Sequence, residues 1–320
     1  MLFAIAVAAR RLAYARGLKK VQAVDVPVIV VGNITVGGTG KTPVTIWLAK
    51  ALATSGRRPG IISRGYRGSV GLQPLQVTAE SDPAKVGDEA ILLAVQCDCP
   101  VVVHPDRVAA ARKVIELGAD IVISDDGLQH YRLGRDFEIA VVDGQRGFGN
   151  GRLLPAGPLR EPVSRLKSVD KIVIHRHPEV ENGILRRSYD RHPLSFGLRA
   201  RGVSRLDDSE LRPIDEFAGS TVHAVAGIGH PERFFRMLES HGIKVHRHPL
   251  PDHADITADD IIFDDDLEIL MTEKDAVKCH WLDVSKCWYV PVEVDFEGAD
   301  ADILLDMVLA IKKDKDRRTS

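Results

Sequence analysis

Cysteine is scarce in this chain. Its 320 residues include four, Cys97, Cys99, Cys279 and Cys287, which show neither the pairing of metal ligands nor the density of a disulfide scaffold. That usage suits a reducing compartment and argues against zinc. Charge of one sign is lacking as well: 43 Lys plus Arg stand against 45 Asp plus Glu, a formal net charge of -2. With no global basic field, nucleic acid is not an expected partner. Internal repeats and low-complexity segments are missing too. The opening apolar run, MLFAIAVAA, has nine residues, whereas a bilayer span needs about 20. It does not read as a secretory leader, because Arg10, Arg11, Arg16, Lys19 and Lys20 follow the apolar run instead of preceding it. The expectation is a chain that stays in the cytosol, with a first helix that either packs on the body or lies in a membrane interface. What is present, 44% hydrophobic and 28% charged residues, is an ordinary globular composition, and the length favours two domains of about 100 to 200 residues each.

From Val26 onward, short β-branched runs alternate with helical spacing, as in a parallel sheet built from βαβ units. VPVIVV (26–31), GIIS (60–63), VVVH (101–104), IVIS (121–124), EIAVVD (138–143) and KIVIH (171–175) read as strands. Val44, Trp47, Leu48, Ala51 and Leu52 recur every three or four residues and make one helical stripe, and further helices are expected near 87–96 and 106–118. This is a doubly wound α/β pattern. After the Arg-rich stretch 182–192 a second, smaller unit begins. PLSFGLRA (193–200), the strand-turn-helix-strand 221–245, LEILMTEKD (267–275) and WYVPVEVDF (288–296) supply its strands, and ILLDMVLAIKK (303–313) is a last amphipathic helix.

The strongest local signal is GNITVGGTGKTP (32–43), a Gly-rich turn between a strand and a helix. Gly37, Gly38 and Gly40 let backbone N–H groups point into one cavity, and the helix N-terminus adds positive potential. Lys41 can reach β and γ phosphates and Thr42 can ligate magnesium. The cradle is therefore Thr35, Val36, Gly37, Gly38, Thr39, Gly40, Lys41 and Thr42, with Thr35 standing where the strict pattern has glycine. Asp125 and Asp126 end the strand IVIS, where a parallel sheet presents them to that loop, as a phosphate-bridging magnesium ion requires. The alternative is simple turn chemistry in SDDG. Asp143 ends the next strand in the same way. Asp88 and Glu89 open a helix, where acids favour the dipole, or else act as a base and a neighbouring metal contact.

A phosphate loop alone does not name a reaction. A nucleotide-dependent switch or a metal-insertion NTPase remains the alternative, but Thr272-Glu273-Lys274-Asp275 places Lys one position late for guanine recognition. The sequence 125–128 is not Asp-x-x-Gly, and no Cys/His cluster is available to carry a metal cargo. An ATP-consuming enzyme fits better.

Several motifs together carry a resemblance. GNITVGGTGKTP, SRGYRG (63–68), VGDEA (86–90), HPDR (104–107), DDGLQH (125–130), DGQRGFGNGRLLPAGPLREP (143–162), AGIGHPERFF (226–235), PDHADIT (251–257) and MTEKDAVK (271–278) occur in order over nearly the whole chain. In these the sequence resembles the tetraacyldisaccharide 4'-kinases of lipid A biosynthesis. The resemblance implies ATP and Mg2+ as cofactors and an acylated glucosamine disaccharide 1-phosphate as the lipid partner, phosphorylated at its 4'-hydroxyl. It also implies a P-loop NTPase-like α/β core of residues 1–192 and 297–320 and linker strands 193–200 and 288–296. Residues 201–287 would form the smaller α/β domain. Asp88 would be the general base, supported by His253, with Lys41 on the phosphates. Glu89, Asp125 and Asp126 would lie near magnesium with Thr42, and Gln129 and His130 near the transferred phosphoryl group or substrate. Arg64, Arg107 and Arg160 are candidate phosphate or substrate contacts, since guanidinium groups grip phosphate bidentately, and Tyr66 could stack on sugar. A membrane-resident substrate makes the apolar-basic opening the candidate anchor on the cytoplasmic face of the bacterial inner membrane. Nothing in the sequence points to a protein partner.

Overall fold

The computed structural model describes residues 2–65, 71–177, 192–207, 209–279 and 286–311. The chain forms two compact units, residues 1–197 with 294–320, and residues 198–293. The second unit is thus inserted into the chain of the first.

The first unit opens with α1 (Leu2–Ala15), β1 (Val28–Gly32), α2 (Lys41–Thr54), β2 (Pro59–Ser63) and β3 (Leu75–Val77). It continues through α3 (Pro83–Val86), α4 (Asp88–Gln96), β4 (Val101–Val103), α5 (Arg107–Glu116), β5 (Ile121–Asp125), β6 (Phe137–Asp143), β7 (Lys171–His175) and β8 (Leu194–Ala200). The second unit adds β9 (Val203–Arg205), β10 (Leu211–Arg212), β11 (Thr221–Ala226), α6 (Pro231–Ser240), β12 (Lys244–Pro249), β13 (Ile269–Thr272), α7 (Glu273–Ala276) and β14 (Cys287–Val290). The chain returns through β15 (Val292–Phe296) and ends its described part with α8 (Asp300–Leu309).

The nine strands of the first sheet lie in the order β15-β8-β7-β6-β1-β5-β2-β4-β3. From β8 to β4 every pairing is parallel, and β3 runs antiparallel to β4. β1, β5 and β6 are buried along their whole length, which is why they read as continuous apolar runs and not as alternating ones. Register then fixes the site. Val31 pairs with Asp125 and Gly32 with Ala140, so the loop leaving β1 emerges beside the carboxyl ends of β5 and β6, where open α/β sheets bind ligands.

In the second unit β14, β13, β11 and β12 run parallel, and β9 and β10 are antiparallel at the far edge. Trp288 is fully buried in its core, its ring edge-on to Phe217 at 5.6 Å. WYVPVEVDF, a single strand by its pattern, is two: Pro291 has no N–H to give to a ladder, and β14 ends before it in one sheet while β15 starts after it in the other. The short β3, β9 and β10 and the one-turn α3 carry too few residues to show a period, and sequence reasoning did not find them.

One ion pair organises the loops of the second unit. Asp275, wholly buried, lies 2.7 Å from Lys278 Nζ and accepts the Gly227 N–H at 2.8 Å and the Thr272 hydroxyl at 2.6 Å. Lys278 also donates to the Ala254 carbonyl at 2.8 Å. The segments AGIGHPERF, PDHADIT and MTEKDAVK therefore meet at one ion pair. This also explains the near-match to a guanine motif: Asp275 holds backbone and cannot read a base. Removing a buried carboxylate leaves a buried ammonium unpaired, at a cost of about 3 to 5 kcal/mol. Asp275→Ala is accordingly expected to lower unfolding stability by about that amount in urea denaturation; a loss below about 1 kcal/mol would show that the pair is not structural.

Candidate active site

The loop between β1 and α2 is shaped from below by Asn33. This side chain is buried and its Nδ2 donates to Thr39 Oγ1 at 3.2 Å, Thr35 Oγ1 at 3.4 Å and the Gly37 carbonyl at 3.5 Å. The segment 150–162 braces it from the side, with Val36 N–H on the Pro158 carbonyl at 2.8 Å and Arg160 N–H on the Ile34 carbonyl at 2.7 Å. Much of the GNGRLLPAGPLREP block is thus loop scaffold. Glu161, 1% exposed, accepts from Gln129 Nε2 at 3.1 Å and from the Tyr131 hydroxyl, with Arg165 Nε at 3.7 Å. Gln129 also donates to the Asn33 carbonyl at 2.9 Å, so its amide faces this network.

Gly40 takes a left-handed conformation, φ 92°, and α2 begins at Lys41 with no side-chain cap. The first N–H groups of the helix stay available, and with the dipole they make an anion site. Thr42 is half-buried in the first turn of α2. Lys41 Nζ lies 3.7 Å from Asp126 Oδ1.

Two adjacent carboxylates face opposite conditions. Asp125 is fully buried, takes the Thr45 hydroxyl at 3.0 Å on Oδ1, and its backbone carbonyl accepts Arg107 Nη2 at 2.8 Å. Burial first, then the charge of Glu89, pushes its carboxyl up to about 7, against the pull of Lys41. Asp126 has a left-handed φ of 47° that turns it toward the cations. Burial works against its charge too, but Lys41 and a two-oxygen contact from Arg160 Nη1, at 2.8 and 2.9 Å, hold it down at about 2.

Arg107, 3% exposed on α5, is lowered to about 10 by burial and stays a cation. His130 is pushed down to about 3 by burial and by Arg107 and Arg64, so it is neutral at physiological pH. Arg64 is exposed, and Tyr66 lies outside the described residues. Asp88 is 7% exposed at the first position of α4, with Oδ1 accepting the Glu89 N–H at 2.8 Å. Asp143 is buried and caps its own turn, accepting the N–H groups of Gln145 and Arg146 at 3.0 Å each and the Arg146 Nε at 3.2 Å. Its geometry is that of an anchor for Arg146.

His253 belongs to the second unit. Its φ is 60°, its N–H bonds the Gly227 carbonyl at 3.2 Å, and its Nε2 is 3.3 Å from Lys274 Nζ. The first unit therefore gathers Lys41, Glu89, Arg107, Asp125, Asp126, His130 and Arg160 into one electrostatic cluster. Asn33, Thr45, Arg146 and Glu161 were missed in the sequence. Asn33 directly before the loop, and Arg146 three residues after a strand-end Asp, were the available signals.

The profile of the tetraacyldisaccharide-1-P 4'-kinase family matches residues 1–310. A tetraacyldisaccharide 4'-kinase of Nitrosococcus oceani is 46% identical over 314 residues, covering 98% of this chain and 90% of that protein. One from Alkalilimnicola ehrlichii is 50% identical over 295 residues, 92% of this chain and 86% of that one. The crystal structure of LpxK from Aquifex aeolicus in complex with ATP superposes with a TM-score of 0.81 at 29% identity, covering 97% of this chain and 96% of that one. The chain belongs to the tetraacyldisaccharide-1-P 4'-kinase family.

Proposed function

We propose that the chain transfers the γ-phosphoryl group of ATP to the 4'-hydroxyl of a tetraacylated glucosamine disaccharide 1-phosphate, giving a lipid IV-A type product. The observation that carries this reading is the opposed pair Asp125 and Asp126 beside Lys41 and the uncapped start of α2, within a chain of the kinase family. A nucleotide switch has less support, because Asp275, where such a protein reads guanine, is buried in an ion pair.

Phosphoryl transfer is largely positioning and charge stabilisation. The loop N–H groups and Lys41 hold the β and γ phosphates. Asp88 takes the hydroxyl proton as the sugar oxygen attacks phosphorus, the bond to the β–γ bridging oxygen breaks, and ADP leaves. His253, the helper of the base by the family resemblance, is fixed within its own unit by the Gly227 carbonyl. Arg107 and Arg160 remain cationic for substrate phosphate, with Arg64 and Tyr66 as further contacts. The hydroxyl of Thr42 and the carboxylates Asp125, Asp126 and Glu89 suit a hard divalent cation. Among the described residues no group of three or more His, Cys, Asp or Glu is placed to hold a metal ion by itself, so only some of these side chains would contact magnesium, and phosphate and water would supply the rest of its shell. When bound, the ion neutralises charge on the phosphate oxygens.

Among the described residues no helix is long and apolar enough to cross a membrane. Yet α1 leaves Phe3, Ile5 and Leu12 exposed at 36, 59 and 47%, with Leu18 just after it at 78%. A recess of about 450 Å³ lined by Ala4, Leu153, Leu154 and Val163 lies beside the helix. α1 also touches the site, since the rings of Tyr14 and Tyr131 are 5.7 Å apart. These features suit peripheral docking at the cytoplasmic face of the inner membrane, with acyl chains beside α1.

Three outcomes follow from this reading. Asp88→Ala lowers kcat at least about 100-fold with ATP affinity nearly unchanged, the size of a general-base contribution; a near-normal kcat removes Asp88 from the role. Because Asp125 gains its proton below about 7, activity falls on the acid side with a midpoint near that pH. Raising Mg2+ moves that midpoint lower, since metal competes with the proton; a limb indifferent to Mg2+ contradicts the assignment. Replacing Phe3, Ile5 and Leu12 together by Glu weakens binding to anionic vesicles more than about tenfold, as each lost apolar anchor is worth about 1.5 to 3 kcal/mol. Unchanged sedimentation with vesicles would refute the anchor.

A further inference from the structure

A second cation stands at the mouth of the phosphate loop. Arg146 follows β6 and is fixed at two points: Nε donates to the buried Asp143 at 3.2 Å, and Nη2 donates to the Gly38 carbonyl at 2.7 Å. Asp143 is itself tied by the backbone N–H groups of Gln145 and Arg146 at 3.0 Å. The guanidinium is therefore preorganised, in contrast to a mobile surface arginine. Nη1 lies against Gly37, where a Cβ would come within 2.9 Å of it. Nη1 has no hydrogen-bond partner among the described residues, and the side chain is 31% exposed, so this one nitrogen is left to donate beside the loop. Lys41 approaches from α2 and is drawn toward Asp126, so the two cations reach the loop from different elements.

We propose that Arg146 is a terminal-phosphate contact supplied from within the chain, its Nη1 donating to an oxygen of the γ-phosphoryl group during transfer. This inference rests on the reading of residues 35–42 as the triphosphate cradle. A guanidinium held there in advance stabilises charge that spreads onto the equatorial oxygens as the bond to ADP breaks, with no reorganisation at that moment. Its anchor, Asp143, keeps the arginine in place and never meets the nucleotide.

The test compares Arg146→Ala, Arg146→Lys and Lys41→Ala in the full chain, reading kcat and KM for ATP, ADP affinity by calorimetry, and thermal midpoint. Arg146→Ala is expected to lower kcat/KM for ATP at least about 30-fold while ADP affinity changes less than about threefold and the midpoint stays within about 2 °C, since only ATP offers the γ-phosphate. Arg146→Lys recovers part of the rate as a point charge without the fork. Equal losses for ATP and ADP would overturn the inference in favour of loop shaping, and normal kinetics with Lys41→Ala impaired would overturn it alone. If Lys41→Ala is also normal, the cradle reading itself fails.

Discussion

Adjacent carboxylates at the end of a buried strand repel each other, and the site around β5 depends on how that repulsion is resolved. Asp125 is fully buried with Glu89 nearby, and burial first and then that charge favour its protonated form up to about pH 7, against the pull of Lys41 and of the Thr45 hydroxyl on Oδ1. Asp126, one residue on, leaves the strand with a left-handed turn and meets Lys41 and Arg160. Backbone geometry thus sends two like charges into unlike environments, and their affinities for protons separate. One carboxylate is held ionised by the protein's own cations. The other is an acid raised by burial and by the charge of Glu89.

The same logic organises the surroundings. Burial, and then repulsion from Arg107, which props the Asp125 carbonyl, keep His130 neutral, leaving that imidazole a hydrogen-bonding group and not a charge. Asn33, Glu161 and Gln129 form a buried polar layer beneath the loop, and the Pro- and Gly-rich segment 150–162 ties to it through backbone bonds. Buried networks of this kind are costly unless satisfied and rigid when they are. In the second unit Asp275 and Lys278 do the equivalent work for the turn that carries His253. In both units a buried carboxylate fixes the loops that present the polar side chains.

Much of this was legible in the chain itself. The parallel core was, because β1, β5 and β6 are buried on both faces and must be continuously apolar. The position of the loop was, because a Gly-rich turn leads from the buried β1 into the start of α2. The roles of individual polar residues were less so. Asp143 looks like Asp125 in sequence, at the end of a parallel strand, yet it caps a turn and grips Arg146. Gln129 stands in a motif that reads as a substrate contact and Glu161 in one whose pattern assigns it no role, but they bond to each other across 32 positions of sequence. Such pairings are set by sheet order, which a linear pattern does not encode. Pro291 is the reverse case, since its missing N–H announced a break that the apolar run around it obscured.

The central claim is that this cluster moves phosphate from ATP to an acylated sugar. The direct measurement is to incubate the full chain with Mg2+, ATP and the tetraacylated disaccharide 1-phosphate in detergent, and to weigh the lipid by mass spectrometry. A gain of one phosphate, lost in Lys41→Ala, is the expected result. ATP turnover that proceeds without lipid and leaves the lipid mass unchanged would contradict it.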